Sequence, residues 1–349
     1  MSRRPTAFIQ IDVDPLWAVR RAYGFGDDGG AAVSGAAPPD PVWDEAVPRF
    51  LEILSQEGAR ATFFALGQDA LHPGRRRRLS EIIAAGHEVA NHTFSHRLDL
   101  AVLPVAHIRE EIARAQGALG EATGALPVGF RCPGYGMNDA VMEEARAAGF
   151  IYDSSVLPSP WGWAMRAIAR RLSRRGPKDS SGPLQYGTVR GSWGPRRPYF
   201  PARRDFRLAA SPGEEGNLIE IPVSVMPGLR LPFHGGIALA LGMPYFRAGL
   251  WLHRLTTNCL NYVFHGVDLL DVRRHEIIPG AGGRYFFRHS LESRVFRARE
   301  MTRAILRTHE VVKTGQWAQG AQRAEGAQWA QGAQRRAQRA AGEGSPKNG

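Results

Sequence analysis

Residues 87–96 read HEVANHTFSH, and two histidines in it, His92 and His96, stand four apart. At that spacing two imidazoles share one side of a helical turn, and imidazole is a common ligand for divalent cations. A second chemically loaded stretch is IDVD, where Asp12 and Asp14 close an apolar run. Alternation along a strand puts both carboxylates on one side. Two neighbouring carboxylates out of water need a cation or a shared proton. Two imidazoles and one aspartate would supply three protein ligands and leave a coordination position open, the arrangement of a catalytic zinc site. Read singly, each stretch also has a plainer account: a packed or exposed histidine pair, and a solvated strand end turning at Pro15.

Both stretches fall where apolar runs give way to loops. AFIQIDVD (7–14), ARATFFALG (59–67), HEVANH (87–92), PVGFRCPGYG (127–136), FIYDSS (150–155), LIEIPVSV (218–225) and NYVFHGVDLL (261–270) are expected to form strands. Helical stretches with one apolar face alternate with them at 42–58, 79–86, 107–124, 140–149 and 292–312. That alternation predicts an α/β fold with parallel strands. Barrel-like folds of this class gather their reactive side chains in the loops after the strands.

The chain has 349 residues, 43% of them hydrophobic, which suffices for one large core or two modest ones. Its net charge of +12 is uneven. Residues 160–207 hold 12 Lys and Arg against Asp179 and Asp205, and 313–349 are also basic, so the remainder is close to neutral. Such a charge raises the alternative of a nucleic-acid-binding protein. Its confinement to an insertion and a tail, without the stacking aromatics of an RNA or DNA module, argues against a specific nucleic-acid partner. The start, MSRRPTAFIQIDVD, runs straight into a strand with no apolar signal-peptide core. Cys132 and Cys259, the only cysteines, fit reduced thiols, so a cytoplasmic protein is expected. The tail repeats QWAQGAQRAEGA, from Gln316, as QWAQGAQRRAQR, from Gln328. Its Gly, Gln and Ala offer little to bury, so 1–312 is expected to be one catalytic domain and 313–349 a disordered basic tail.

Taken in order, IDVD, ATFF, GHEVANHTFSH, FRCPGYG, YDSSV and VFHGVD resemble the five motifs of the polysaccharide deacetylases, carbohydrate esterase family 4, whose catalytic unit is the NodB-homology domain. The spaced first-motif acids and the arginine-x-proline third motif are similar to one subgroup of it. The resemblance covers about residues 7–312, interrupted by a basic insertion at about 158–210, and implies a distorted (β/α) barrel. It implies Asp12 as general base and Asp14, His92 and His96 as ligands of a divalent metal, zinc by default, with cobalt, nickel and manganese also suited to His/Asp ligation. Val13 separates acids that are adjacent in the commoner pattern, which leaves an exchange of the two aspartates' roles open. Arg131 of the third motif is implied against the base carboxylate, and the Tyr135 backbone amide at the oxyanion. Asp153 is implied as the acid that orients and charges His265, the proton donor to the leaving amine. His234, in LPFHGG, resembles part of the subgroup's glycine-rich loop and is expected to contact substrate. The implied reaction is metal-assisted hydrolysis of an N-acetyl group on an amino sugar of a glycan. Its alternatives are deformylation of a lipid-linked amino sugar and an inactive glycan-binding relative.

The segment PWGWAMRAIARRLSRRG follows the fourth motif directly. Trp161, Met165, Ile168 and Leu172 fall on one helical stripe, with Arg166, Arg170 and Arg174 opposite and Arg171 and Arg175 beside it. That is the pattern of a basic amphipathic helix able to lie in an anionic membrane interface. It would bring a lipid-linked glycan at the inner face of the plasma membrane within reach, with Arg170, Arg171, Arg174 and Arg175 near phosphate. The plain alternative is a surface helix that packs its stripe on the barrel.

Overall fold

The computed structural model describes residues 4–23, 25, 39–172, 190–211, 216–278 and 288–324. Its strands are β1 (Thr6–Asp12), β2 (Thr62–Ala65), β3 (Glu88–Asn91), β4 (Gly129–Phe130), β5 (Tyr152–Asp153), the ribbon β6 (Pro201–Ala202) and β7 (Asp205–Ala209), then β8 (Ile219–Glu220), β9 (Cys259–His265) and β10 (Glu310–Val311). All but the ribbon join one parallel sheet in the order β10–β1–β2–β3–β4–β5–β8, with β9 on β1. The sheet is parallel because each crossover returns through helical connections, and a strand covered on both faces is apolar throughout instead of alternating. β1 shows this: from Ala7 to Asp12 every residue is buried.

β1 is the centre of the sheet. It pairs with β9 along its whole length, from Thr6↔Cys259 to Asp12↔His265, and with β2 at Gln10–Asp12. The sheet curls until the segment after β8 approaches β9, where the Ser224 N–H donates to the Asn261 carbonyl at 3.1 Å. Outside lie helices Val47–Glu57 and Leu291–Thr308, whose Phe50, Ile53, Leu54, Ala298, Met301 and Ile305 share one core with Ile9, Ile11 and Tyr262. Asp12, Asn91, Phe130, Asp153 and His265 each end a strand. The motifs therefore gather at the C-terminal end of the sheet, where a parallel barrel collects its loops.

The described part of the basic insertion is built into the wall. Phe206 is buried in one cluster with Phe130, Phe150 and Leu218, and Tyr199 pairs antiparallel with Glu220 along the β8 edge. Helix Gly162–Leu172 turns its stripe inward: Met165 is buried, and Trp161 and Ile168 are half-buried. Of the stripe expected to meet a membrane, Met165 is thus packed against protein, while Trp161 and Ile168 remain partly exposed. Arg174 and Arg175 lie outside the described residues, and of Arg170 and Arg171 only the helical backbone is described.

The boundary drawn at 312 also needs correction, because residues 314–324 are helical. Thr314 and Ala318 are fully buried, and Trp317 meets Phe8 edge-on at 5.3 Å. Thr314 Oγ1 lies 2.9 Å from Thr62 Oγ1 and accepts from Gln10 Nε2 at 3.1 Å. The helix closes the barrel at the end opposite Asp12. Composition hid it, since small residues here are demanded by close approach: a Cβ on Gly315 would stand 2.7 Å from Glu88 Oε1 and 2.8 Å from Val128 Cγ2. A chain ended after Val312 should therefore unfold at lower urea concentration than the full chain, and Trp317→Ala should cost about 2 kcal/mol. Ending the chain after residue 327, past the first repeat, should leave the urea midpoint unchanged.

Candidate active site

Val13 continues beside β2 by donating its N–H to Phe64 O at 2.9 Å. Asp12 and Asp14, two residues apart, thus line one cavity, as strand alternation predicts. The chain then turns at Pro15 into helix Leu16–Ala22, whose first N–H, on Leu16, is held by Asp40 Oδ2 at 2.9 Å. On β3 the ladder carries on to His92, whose N–H donates to Ala65 O at 3.0 Å.

The histidine pair does not sit on a helical turn, which corrects the reading of its spacing. Thr93 (φ 68°) and His96 (φ 53°) are left-handed, a conformation unfavourable for a β-branched residue without support. Support comes from side chains. Asn91 Oδ1 accepts from the Thr93 N–H at 2.8 Å, and Glu111 accepts from the Ser95 N–H and hydroxyl at 2.9 and 2.7 Å. Arg21 donates to the carbonyls of Ser95 and His96 at 2.7 and 2.9 Å. Gly67 lets the neighbouring loop pass, since a Cβ there would lie 2.4 Å from the Ala115 backbone.

Bent in this way, the loop brings both imidazoles onto Asp14. His92 Nε2 and His96 Nε2 each stand 3.2 Å from Asp14 Oδ1, and the three residues offer ligand atoms within 4.8 Å of one another. His92 Nδ1 lies 2.8 Å from the Arg131 carbonyl, which can only accept, so Nδ1 carries the proton. In the neutral ring Nε2 is then a lone pair facing a carboxylate oxygen. Burial opposes charge on Asp14, yet His96 and His92 together hold its carboxyl well below the usual range. Converging buried lone pairs of this kind fit a divalent cation, and a ligand imidazole in such sites commonly donates its other N–H to a carbonyl, as His92 does.

Asp12 serves differently. Its Oδ1 is bonded by Arg131, which is wholly buried and also donates to the Gln10 amide oxygen and, at 2.8 Å, to the carbonyl and hydroxyl oxygens of Ser154. The guanidinium lies 4.0 Å from the centre of the Phe64 ring. Across the cavity, His265 Nε2 stands 3.6 Å from Asp12 Oδ2. His234 meets the His265 ring edge-on at 5.9 Å, and burial followed by His265 brings its pKa down to about 3, so it is neutral. The cavity holds about 150 Å³, and apolar side chains such as Val19, Leu98, Met165 and Val267 complete its wall.

Two expected roles are corrected. The Tyr135 N–H donates to Cys132 O at 3.1 Å, closing its own turn, so it does not point free into the cavity. Asp153 is fully buried and takes its hydrogen bonds from Ser155, at 2.6 Å to Oδ1, and from Glu220. Burial raises both of these acids, and Ser155 Oγ in turn holds the Cys132 N–H at 2.8 Å. Asp153 thus anchors the strand that carries Arg131. Next to His265 stands Asp268, to which the motif order does not point: its carboxylate accepts the His265 backbone N–H at 2.9 Å, and the His265 side chain accepts the Asp268 backbone N–H. Its signal was present: an acid three residues after a cap position marks a reciprocal capping pair.

Residues 35–152 match the polysaccharide deacetylase family. The chain is 36% identical over 156 residues to the chitooligosaccharide deacetylase of Bradyrhizobium sp. (strain ANU 289), covering 42% of this chain and 66% of that one. It is 30% identical over 135 residues to a peptidoglycan-N-acetylglucosamine deacetylase of Bacillus cereus, covering 36% of this chain and 53% of that one. The chain thus spans less than two thirds of the length of these curated relatives. A solved Mycobacterium smegmatis structure, described as a polysaccharide deacetylase, aligns over 91% of both chains with a TM-score of 0.56 at 21% identity, a likeness of fold.

Arg131→Met should destabilise the protein by about 3–5 kcal/mol in urea titration, because it strands the buried Asp12 carboxylate. Arg131→Lys keeps the charge but cannot bridge Asp12 and Ser154 together, and should fall between the two. A midpoint unchanged in Arg131→Met would show that the pair carries no such weight.

Proposed function

The chain belongs to the polysaccharide deacetylase family, and on that premise we propose that it is a metal-dependent hydrolase removing an N-acetyl group from an amino sugar of a glycan. The observation that supports this reading is the single cavity in which Asp14, His92 and His96 converge while Asp12 and His265 face each other beside them. Asp14, His92 Nε2 and His96 Nε2 would hold the ion. When bound, a divalent cation, zinc by default and cobalt, nickel or manganese by ligand type, supplies Lewis acidity to the amide carbonyl and to water.

Asp12 takes the proton from the attacking water. Arg131, bonded to that carboxylate, fixes it in direction, which a base needs. His265 gives a proton to the departing amine, so one water is added across the C–N bond and acetate leaves with a free amino sugar. Tyr135 contributes its hydroxyl instead of its amide. That hydroxyl is buried without a hydrogen-bond partner among the described residues, and the charges of Asp12, Asp14 and Asp268 all act on it. It is the donor offered to the amide oxygen. Neutral His234, on the same wall, contacts the sugar.

A second feature bears on where the glycan is met. Trp163, Trp193 and Leu229 are 62%, 71% and 69% exposed, an unusual state for tryptophan. Trp161 joins two of them, lying 6.3 Å from Trp163 and donating to the Leu229 carbonyl at 2.8 Å, while Arg230 lies over Trp193. Tryptophan with arginine favours an anionic lipid interface, which supports a lipid-linked or membrane-proximal glycan as substrate. No helix among the described residues is long and apolar enough to cross a membrane.

Purified protein given zinc and N-acetylated or N-formylated sugars, soluble and lipid-linked, should release acetate, with kcat/KM bell-shaped in pH. Formate in place of acetate would redirect the reading to deformylation. His92→Ala and His96→Ala should lose the ion by elemental analysis, whereas Asp12→Asn should keep it and lose on the order of 10²–10⁴ in rate. Full occupancy in the double histidine variant would overturn the metal assignment. Flotation should require anionic vesicles, weaken with salt and fail for the Trp163→Ser/Trp193→Ser pair; equal flotation with neutral vesicles would count against the lipid interface.

A further inference from the structure

We propose that Arg196 and Arg230 together form a phosphate-binding site beside the exposed Trp193. The site stands outside the proposed catalytic centre, and only the lipid assigned as the bearer of that phosphate rests on the interfacial reading given above.

Two arginines are brought together here with no acid between them. Arg230 sits in a turn held at both ends of the residue: its N–H donates to Met226 O at 2.9 Å, and its carbonyl accepts from Ser159 Oγ at 2.8 Å. Those bonds keep it left-handed (φ 53°), a conformation that a residue with a Cβ adopts only with support. The side chain is thereby laid against residues 192–194, with its guanidinium 5.4 Å over the Trp193 ring. Among the described residues its hydrogen bonds engage Nη1 alone, at 3.1 Å to the Gly194 carbonyl and 3.4 Å to that of Ser192, which leaves Nε and Nη2 for a ligand.

Arg196 belongs to the facing segment. That segment is fixed by Tyr199, paired with Glu220 at 3.0 and 2.8 Å, and by Arg197, which donates to Thr256 O at 2.8 Å. Arg196 Nη1 is buried and has no hydrogen-bond partner among the described residues. Its charge acts on Arg230, making that guanidinium less basic than usual after burial has done the same, and on His253, which burial brings down to about 4 and so leaves neutral. Arg190 and Arg203, on either side in the chain, pair with Asp139 and Glu143, whereas Arg196 and Arg230 have no carboxylate among the described residues.

Like charges held partly out of water repel, and an anion between them reverses that cost. Phosphate has the oxygens to accept from two guanidinium forks at once. Its bearer is indicated by the neighbours: Trp193 and Leu229 are exposed apolar side chains next to the two arginines, as an amphiphile with an anionic head requires. The site is also tied to the cavity. Trp161, which bonds the Leu229 carbonyl, is one helical turn before Met165 of the cavity wall, and His234 follows Arg230 by four residues.

Calorimetric titration of the full, zinc-loaded chain with inorganic phosphate and with dodecyl phosphate tests the site. Phosphate taken up at an ion on His92 and His96 is common to wild type and arginine variants, so the difference between them reports Arg196 and Arg230. Arg196→Gln, which has no hydrogen bond to lose among the described residues, should weaken binding roughly ten- to a hundredfold, and Arg230→Gln likewise. Without phosphate, the urea midpoint of Arg196→Gln should equal or exceed that of wild type, because a like charge has gone. Phosphate should raise the midpoint of wild type and not of the variant. Dodecyl phosphate should bind more tightly than inorganic phosphate, by an increment that Trp193→Ser removes; equal binding of the two, untouched by Trp193→Ser, overturns the lipid as bearer and leaves a free phosphate. Phosphate binding that is absent, or equal in wild type and both arginine variants, overturns the site. So does a midpoint lowered in Arg196→Gln, which would mean that the arginine already has a protein partner. None of these measurements needs acyl release, so their failure is distinct from failure of the hydrolase reading.

Discussion

Arg131 carries a full positive charge with no exposure to water, and among the described residues the one carboxylate bonded to it is Asp12. Neither group could be buried there alone, because an isolated ion in the interior loses solvation that only a partner restores. The arrangement at the C-terminal end of the sheet follows from that pair. Arg131 reaches Asp12 across the strands, and its carbonyl fixes the proton of His92, so one residue orients both the proposed base and a proposed ligand. Its other bonds run to Ser154 and to Gln10, whose amide N–H donates in turn to Thr314 of the closing helix. The far end of the barrel is thus connected to the base through two side chains.

The same pair explains how two aspartates on one side of one strand come to differ. Asp12 has a guanidinium at hand, which suits the base proposed for it, while Asp14 has two imidazoles, which suits a ligand. The valine between them supplies the spacing: one residue more or fewer would turn one carboxylate away from the cavity. An adjacent pair would have to reach the same two neighbours by a turn of the backbone. The roles proposed for the two aspartates, whose exchange the sequence leaves open, rest on partners that lie 119 and about 80 residues away.

What was legible in the sequence followed from short-range physics. Apolar runs ending in polar motifs located the strand ends, and the motif order located Asp12, Asp14, His92, His96, Arg131, His234 and His265 in one cavity or just behind it. What was hidden depended on neighbours distant in sequence. The bend at Thr93 and His96 exists because Asn91, Glu111 and Arg21 hold it, so a helical spacing was no guide. The Tyr135 amide turned back on Cys132, and Asp153 went to Ser155 and Glu220, because a buried polar group takes the partner within reach. The helix at 314–324 was masked by composition, since alanine and glycine mark both low complexity and close packing.

The most direct test is a crystal structure with zinc, with the ion located by its anomalous scattering. The account predicts one ion bound by Asp14, His92 Nε2 and His96 Nε2, with Asp12 outside its coordination and still bonded to Arg131. An ion ligated by Asp12, or Asp12 parted from Arg131 when the ion is present, would contradict it.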